Sequence, residues 1–363
     1  MKQTVLHHQH LQAKARMTEF QGWHVPQVFT DVQDEYHAVR TTAGLFDVGF
    51  LGRIEISGQD SASLLQKLFT RDIGRISERS AHYGMICNES GFVLDDEMLF
   101  RLSDGRSSPR FLLSTNAINT AKVLNWLRSF ASAGIDISDA TTALAQFSLQ
   151  GPQSPHILEK VLGPGIKKFK PRAVREVDVQ GRRLVVCRTG YTGEHGYEFF
   201  VSSAEAEQLW KDIMQAGGVY GLMACGLASR DILRLEMGYL LYGNDLDESR
   251  TPLEAGLERF VDLKKDFLGR DRLLALKAAG TEQRLAGFML LEKTAPRPGG
   301  SIFSENREIG AVTSGCLSPA LRVGIGLGYV VNRYAQPGQE IEVEIRDREY
   351  VARIVDLPFY KRK

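Results

Sequence analysis

One acidic side chain interrupts an apolar stripe between Tyr83 and Arg101, where two strand-like runs and a turn predict a β-hairpin. Side chains of a strand alternate between its two faces. Asp96 therefore shares a face with four apolar side chains, those of Phe92, Leu94, Met98 and Phe100. The opposite face is predicted to be the more solvent-like one, and it carries Val93, Asp95, Glu97, Leu99 and Arg101.

The position of Asp96 has two interpretations. An ionised carboxylate that leaves water is costly unless it is paired, protonated or put to use, which makes Asp96 a functional candidate. Alternatively, the strand is partly exposed and the acid pairs with a neighbouring Lys or Arg. Spacing alone does not choose between the two.

Helical spacing appears on both sides of this hairpin and again further along the chain. One short helix is predicted to run from Asp60 or Ser61 to Phe69, and a second lies within residues 116–133. A capping-box pattern at residues 202–205 precedes an apolar stripe formed by Ala206, Leu209, Trp210, Ile213 and Met214. We interpret this stripe as core packing.

The last part of the chain has a different pattern of predicted elements. Beyond about residue 280, short strands with glycine-rich turns predict a small β-barrel or sandwich, and residues 277–282 are predicted to be the linker before it. The glycines at 324, 326 and 328 have the wrong spacing for a dinucleotide loop and run into a strand. Strands and helices alternate irregularly overall, which favours an α+β fold over a doubly wound parallel sheet.

Composition narrows the function classes. The chain has 363 residues, which predicts two or three domains. Its 45 Lys and Arg balance 44 Asp and Glu to a net charge of +1, so nothing indicates nucleic-acid binding. No apolar run approaches the length of a membrane span, and the first twenty residues lack the features of a targeting peptide. We therefore expect a cytoplasmic protein.

Metal and disulfide chemistry receive little support. The four cysteines are scattered without a Cys-x-x-Cys pair, which predicts reduced, structural thiols. Histidines are dense only at His7, His8 and His10, in a segment with no acidic or thiol ligand close by in sequence. No metal is expected.

Two further segments carry candidate chemistry. Residues 188–198 hold three glycines around Glu194 between two strand-like runs. Glycine lets a backbone approach a ligand closely, and a carboxylate there can accept two parallel N–H groups from a pteridine or purine edge; the alternative is a glycine-rich hairpin with a solvated acid. Arg230 and Arg234 share a helix face, either in structural ion pairs or with a guanidinium presented to a ligand.

Three segments, residues 88–96, 188–198 and 225–243, together resemble the T-protein family of the glycine cleavage system, whose members are aminomethyltransferases. The resemblance continues in order along nearly the whole chain, at residues 20–23, 38–40, 43–48, 251–257, 266–270, 312–315 and 357–360. Each motif alone is weak, but so many in one order are specific.

The resemblance implies an activity and a fold. The family transfers an aminomethyl group from the lipoyl arm of the carrier H-protein to the co-substrate tetrahydrofolate, giving methylene-tetrahydrofolate and ammonia. Its three domains form a cloverleaf around a central folate channel. On that template, the folate-binding domain, the inserted domain with Asp96 and the barrel are residues 1–52 plus 139–276, residues 53–138 and residues 283–363. We expect a monomer or weak dimer that binds H-protein and folate, and neither nucleic acid nor membrane.

The resemblance also assigns roles by position in the motifs. Asp96 matches the family's essential acid, Glu194 its pterin-binding glutamate and Arg230 a binding-site arginine. Bond formation between carbon and nitrogen needs a group that handles a proton and stabilises a cation as ammonia leaves. A desolvated Asp96 would supply both.

Other positions match the folate channel less specifically. Tyr83, Leu51 and Tyr239 correspond to residues that line it, or are ordinary core and rim residues. The basic tail at residues 361–363, Arg362 in particular, is expected to help hold an anionic folate tail or carrier surface, or is simply solvated.

The sequence departs from the family pattern in three places, and two other functions are compatible with the same fold. Residues 49–52 are Gly, Phe, Leu and Gly where the family usually has Ser, His, Met and Gly, Arg71 replaces the usual Asn, and Glu97 stands where an apolar residue is usual. Another tetrahydrofolate-dependent transferase, such as a demethylase, stays open as an alternative. A non-catalytic folate-binding protein of iron–sulfur maintenance is disfavoured, because its Lys-Gly-Cys motif is absent at residues 251–256.

Overall fold

The structure of the protein is a computed structural model that describes residues 1–102, 108–164 and 169–362. Lys363 of the predicted basic tail therefore lies outside the described residues. The chain forms two compact units. They consist of residues 1–86 with 95–230, and of residues 87–94 with those from 231 onward.

Short strands and helices make up the first unit. The strands that begin before residue 231 are β1 (Lys2–Gln3), β2 (Arg16–Phe20), β3 (Trp23–Val28), β4 (Ala43–Asp47), β5 (Gly52–Ser57), β6 (Ser80–Cys87), β7 (Val93–Arg101), β8 (Arg110–Thr115), β9 (Asp136–Asp139), β10 (Leu144–Gln150), β11 (Val174–Val179), β12 (Arg182–Cys187), β13 (Gly196–Ser202) and β14 (Leu222–Ala224). The helices in this part are α1 (His7–Gln12), α2 (Val32–Thr41), α3 (Ser61–Leu68), α4 (Thr120–Ser129), α5 (Ser154–Leu162), α6 (Ala206–Gly217) and α7 (Leu227–Glu236).

Two large sheets and one small one organise these strands. The orders are β6-β7-β8-β5-β9, β11-β12-β13-β10-β4-β14 and β1-β3-β2. One face of the six-stranded sheet packs against α5 and α6 in a core that includes Phe147, Phe199, Ile157, Leu209 and Ile213. The prediction that the apolar stripe of α6 is core packing is confirmed.

The other face of the six-stranded sheet packs against the five-stranded sheet. Phe200 of β13 and Phe100 of β7 meet edge to face, with ring centroids 5.0 Å apart, inside a shared apolar cluster. Because alternate residues of a strand share a face, Glu198 lies on the same surface of β13 as Phe200. Asp96 likewise lies on the same surface of β7 as Phe100. The two acids are therefore carried by sheet surfaces that face each other.

The predicted hairpin is confirmed, since β6 and β7 are neighbours in the sheet. The prediction that the second face of β7 is solvent-like is wrong. Asp95 and Glu97 are 0% and 2% exposed, because the segment that leads into α4 covers this face. Asn116 and Asn119 donate hydrogen bonds from that segment to the Asp95 carboxylate. Strand β7 is thus buried on both sides.

The predicted helices form, with corrected ends. Helix α3 follows its N-cap Asp60, as expected. Helix α4 is shorter than residues 116–133, because Asn116 faces β7 instead of entering the helix. The predicted capping box at residues 202–205 does not form, because the Ser202 side chain makes no capping hydrogen bond, and α6 begins after its N-cap Glu205.

A closed barrel dominates the second unit. Its strands are β15 (Gln283–Leu290), β16 (Ser301–Ser304), β17 (Arg307–Leu317), β18 (Gly324–Val331), β19 (Glu340–Glu344) and β20 (Glu349–Val355), and helix α8 (Arg270–Ala279) precedes them. They close in the order β15-β18-β17-β16-β19-β20, which confirms the predicted barrel and the strand at residues 324–331. The predicted linker at residues 277–282 is partly wrong, because α8 continues to Ala279 and ends at Gly280.

The fold class is α+β, as predicted, while the three domain boundaries drawn from the sequence stay a prediction. The four cysteines are free thiols in the described chain. No helix among the described residues is long and apolar enough to cross a membrane.

Candidate functional site

Two hydrogen bonds fix the carboxylate of Asp96. Its Oδ2 accepts from the Tyr83 hydroxyl at 2.9 Å, and its Oδ1 accepts from the Asn116 side-chain amide at 2.9 Å. The side chain is only half-buried, so the acid is oriented and also reachable. Burial, followed by the charge of Asp96, raises the pKa of Tyr83, which keeps the phenol protonated as a donor.

Asn116 couples Asp96 to the acid before it in sequence. Its amide nitrogen also donates to Asp95 Oδ1 at 2.9 Å, and its backbone N–H donates to Asp95 Oδ2 at 3.0 Å. Asn119 adds a third donor to Asp95 at 2.6 Å. Burial and the neighbouring charge of Asp96 raise the pKa of Asp95. Sequence reasoning missed Asn116, because nothing local marks a residue twenty positions away as the partner of both acids.

Glu97 is the third acid of this run and is the least satisfied. It is 2% exposed, and neither carboxylate oxygen has a hydrogen-bond partner among the described residues. Burial raises the pKa of Glu97 well above its ordinary value, and the charges of Asp95 and Asp96 raise it further. These surroundings therefore favour the protonated form of Glu97.

A buried arginine lies in the same unit. Arg230 of α7 is 8% exposed, and its guanidinium carbon lies 4.8 Å from the centre of the Tyr191 ring. Its Nη1 has no hydrogen-bond partner within the described part of the chain. Tyr191 in turn lies near enough to Tyr83 to affect its pKa. Asp96 thus bonds to Tyr83 and Arg230 lies against Tyr191, while the two tyrosines are close enough to interact electrostatically; we call these four residues the polar group.

Glu198 completes this group, and sequence reasoning missed it. It is 6% exposed; burial raises its pKa to about 7, and the positive charge of Arg230 opposes that shift. The signal was present in the sequence, because Glu198 interrupts the aromatic run of β13 much as Asp96 interrupts the apolar stripe of β7.

The predicted ligand-binding acid Glu194 lies elsewhere in the loop between β12 and β13. Its Oε1 accepts from Arg40 Nη1 at 2.9 Å, and the two side chains are 3% and 6% exposed. Arg40, from the last turn of α2, also donates to the Thr192 carbonyl oxygen at 2.7 Å. The role of Glu194 toward a ligand stays a prediction.

The two arginines of α7 have different surroundings. Arg234 donates to Asp231 and Asp245 at 2.8 and 2.6 Å, so it forms the structural ion pairs that the sequence allowed. It also donates to the Tyr239 carbonyl oxygen at 3.0 Å. Tyr239 is a half-buried residue of the second unit, where burial raises its pKa.

The remaining predicted residues are less buried. Leu51 is half-buried in the turn between β4 and β5, and Arg53 donates to its carbonyl oxygen. Arg362 is exposed near the end of the chain. Their roles also stay predictions.

A cleft connects Arg230 with the departure from the family pattern at residues 49–52. Its lining includes Phe46, Asp47, Phe50, Gly226 and Arg230. The aromatic walls and the buried guanidinium, whose Nη1 has no partner among the described residues, match the chemistry of a planar heterocycle with an oxygen acceptor. The space between the lining residues is small, so the match is one of donor and acceptor groups and not of a cavity already open to a pterin.

The histidine tract has a structural explanation in part. His10 is buried, and its Nε2 lies 2.8 Å from Asp47 Oδ2, so an acid distant in sequence is near it in space. His7 Nε2 lies 2.8 Å from His24 Nδ1. The described residues contain no group of three or more His, Cys, Asp or Glu arranged to hold a metal ion.

Comparison with known proteins covers the whole chain. Residues 6–265 match the family described as GCVT N-terminal domain, and residues 283–361 match the Glycine cleavage T-protein C-terminal barrel domain. The aminomethyltransferases of Desulforamulus reducens and Bacillus subtilis are 39% and 37% identical to it, over 100% of this chain and 99% and 100% of theirs. The glycine cleavage system aminomethyltransferase T from Bartonella henselae superposes with a TM-score of 0.92 at 28% identity, over 100% of this chain and 99% of that one. The chain belongs to the glycine cleavage T-protein family.

Proposed function

We propose that the protein is the aminomethyltransferase of a glycine cleavage system. It would transfer the aminomethyl carbon from the lipoyl arm of H-protein to tetrahydrofolate, giving 5,10-methylene-tetrahydrofolate, ammonia and H-protein with a dihydrolipoyl arm. The observation that carries the proposal is the fixed, half-buried carboxylate of Asp96 in one polar group with Arg230. The names and the similarity of the relatives support the same reaction.

The polar group accounts for binding of the pterin. Tetrahydrofolate supplies the nucleophilic nitrogens that receive the carbon. Arg230 offers its unused N–H to a ring oxygen, and an ionised Glu198 can accept parallel N–H groups from the ring edge. The resemblance to the family further implies that Leu51, Tyr239 and Arg362 each contribute to folate binding.

Asp96 accounts for the chemistry. Tyr83 and Asn116 hold its two oxygens, so the carboxylate needs no reorganisation when positive charge develops beside it. It stabilises the cation that forms as ammonia leaves, or accepts the proton released from the folate nitrogen. Such electrostatic and proton-transfer contributions are each worth about 100-fold or more in rate.

The reaction is tested directly with aminomethylated H-protein and tetrahydrofolate, by measuring both ammonia and methylene-tetrahydrofolate. We expect both products in equal amounts. Normal folate binding without product would mean that the donor is a different one-carbon compound, as in a demethylase.

The role of Asp96 is tested by Asp96→Asn. Asparagine keeps an acceptor for Tyr83 but has no charge, so the dissociation constant for tetrahydrofolate should stay within a few fold while turnover falls about 100-fold or more. Asp136→Asn, an exposed aspartate of β9 in the same sheet, is the matched control. Unchanged turnover in Asp96→Asn would refute the assignment.

A further inference from the structure

Tyr191 belongs to the loop between β12 and β13, residues 188–195, and its ring lies against Arg230. We propose that Arg40 is a positioning residue, which holds this loop so that Tyr191 covers Arg230, and that Glu194 acts through Arg40 without touching the substrate. The inference rests on the proposed folate site. It assigns a role to a residue of α2 that contacts the loop and not the reacting atoms.

Arg40 contacts the loop at two points on either side of Gly193. Its Nη1 donates to the Thr192 carbonyl oxygen at 2.7 Å and to Glu194 Oε1 at 2.9 Å. Both charged side chains are more than nine-tenths buried. A charge-assisted hydrogen bond in such surroundings is short and directional, so it fixes where the loop backbone lies.

Gln150 of β10 holds the same loop from the other side. Its Oε1 accepts from the Thr192 hydroxyl at 2.9 Å, and its Nε2 donates to the Thr189 carbonyl oxygen at 3.1 Å. A Cβ atom at Gly190 or Gly196 would come within 2.0 or 2.2 Å of this amide. Two of the three glycines in the motif therefore make room for Gln150.

These contacts fix the loop backbone on both sides of Tyr191. Thr189 and Thr192 are both tied to Gln150, and Thr192 and Glu194 are both tied to Arg40. The Tyr191 ring then lies 4.8 Å from the guanidinium carbon of Arg230. Loss of Arg40 releases the loop on one side, and the surface offered to the pterin loses its shape.

A double-mutant cycle on tetrahydrofolate binding tests whether Arg40 and Glu194 act as one unit. Arg40→Ala, Glu194→Ala and the double variant are compared with the parent by titration calorimetry, at a temperature where thermal melting shows all four to be folded. We expect each single change to weaken binding about tenfold, and the double variant to bind no more weakly than Arg40→Ala, because neighbours that act as a unit are not additive. Additive losses would overturn the proposal, as would parent-like binding by Arg40→Ala.

Controls distinguish the possible failures. Arg110→Ala removes an arginine whose Glu176 partner lies 3.1 Å away and whose side chain is 38% exposed, and it should bind folate like the parent. If Arg40→Ala does not fold, Arg40→Lys replaces it in the cycle; lysine keeps the charge but cannot reproduce the planar fork, and the same additivity criterion applies. If the parent itself does not bind tetrahydrofolate, the proposed function fails, and this inference fails with it.

Discussion

Glu198 is a residue of the site whose pKa lies near neutral pH. Burial raises its pKa to about 7 against the opposing charge of Arg230. A carboxylate accepts two N–H groups, whereas the protonated acid turns one oxygen into a donor. The proposed contact with the pterin edge therefore requires the ionised form, and acid should remove it.

We predict that the affinity for tetrahydrofolate falls as the pH decreases below about 7, approaching tenfold per pH unit. Glu198→Gln should bind more weakly and show no such dependence. Glu194→Gln is the control and should keep the parent's pH profile. Dissociation constants measured at about pH 6, 7 and 8 test the parent and the two variants. By linkage, the slope of the logarithm of the dissociation constant against pH gives the number of protons exchanged on binding. A flat profile for the parent would exclude this role of Glu198.

At the scale of the element, strand β7 shows what the sequence could and could not predict. Alternation correctly placed Asp96, Met98 and Phe100 together. It could not reveal that the opposite face is also buried, because the covering segment with Asn116 is brought there by the chain fold. For the same reason, the sequence identifies Glu97 as an unusual third acid but predicts that it lies on the more solvent-like face.

The burial of Glu97 predicts a stability that depends on pH. The folded state holds the Glu97 proton to a pKa well above 4.5, the ordinary value that the unfolded chain has. Its contribution is therefore fully present below about pH 4.5 and is lost as pH rises toward the folded pKa. The positive charge of Lys122 opposes the shift, against burial, Asp95 and Asp96.

Glu97→Gln should accordingly unfold with a larger free energy than the parent at neutral pH. The difference should grow with pH by up to about 1.4 kcal/mol per unit, because glutamine has no proton to lose. Urea denaturation at several pH values between about 5 and 8 measures it. Glu55→Gln, an exposed glutamate of β5 in the same sheet, should show no such trend. A constant difference would mean that Glu97 is charged in the folded state.

At the scale of the whole molecule, ordered short motifs predicted the family, and the pattern of strand and helix signals predicted the α+β class and the barrel. They did not predict the side-chain networks, since these join residues far apart in sequence. Arg234 is an example: its Nη2 donates to Ser314 at 2.9 Å, across 80 positions. From its helix face alone, Arg234 could not be told from Arg230, whose partner ring belongs to Tyr191. Packing alone separates the structural arginine from the one in the site.

The Arg234 network makes a prediction for the stability of the second unit. Asp245 Oδ2 accepts from Arg234 Nη1 at 2.6 Å, and the side chains are 0% and 2% exposed. Asp245→Asn leaves a buried guanidinium without its main counter-charge, which should lower the free energy of unfolding by about 3 kcal/mol or more. Asp231→Asn removes the 47% exposed partner of the same arginine and should cost less than about 1 kcal/mol. Urea denaturation compares the two. If the two units unfold in separate transitions, both substitutions should shift only the transition of the second unit. Equal losses of stability in Asp245→Asn and Asp231→Asn would show that burial does not determine the strength of the ion pair between Arg234 and Asp245.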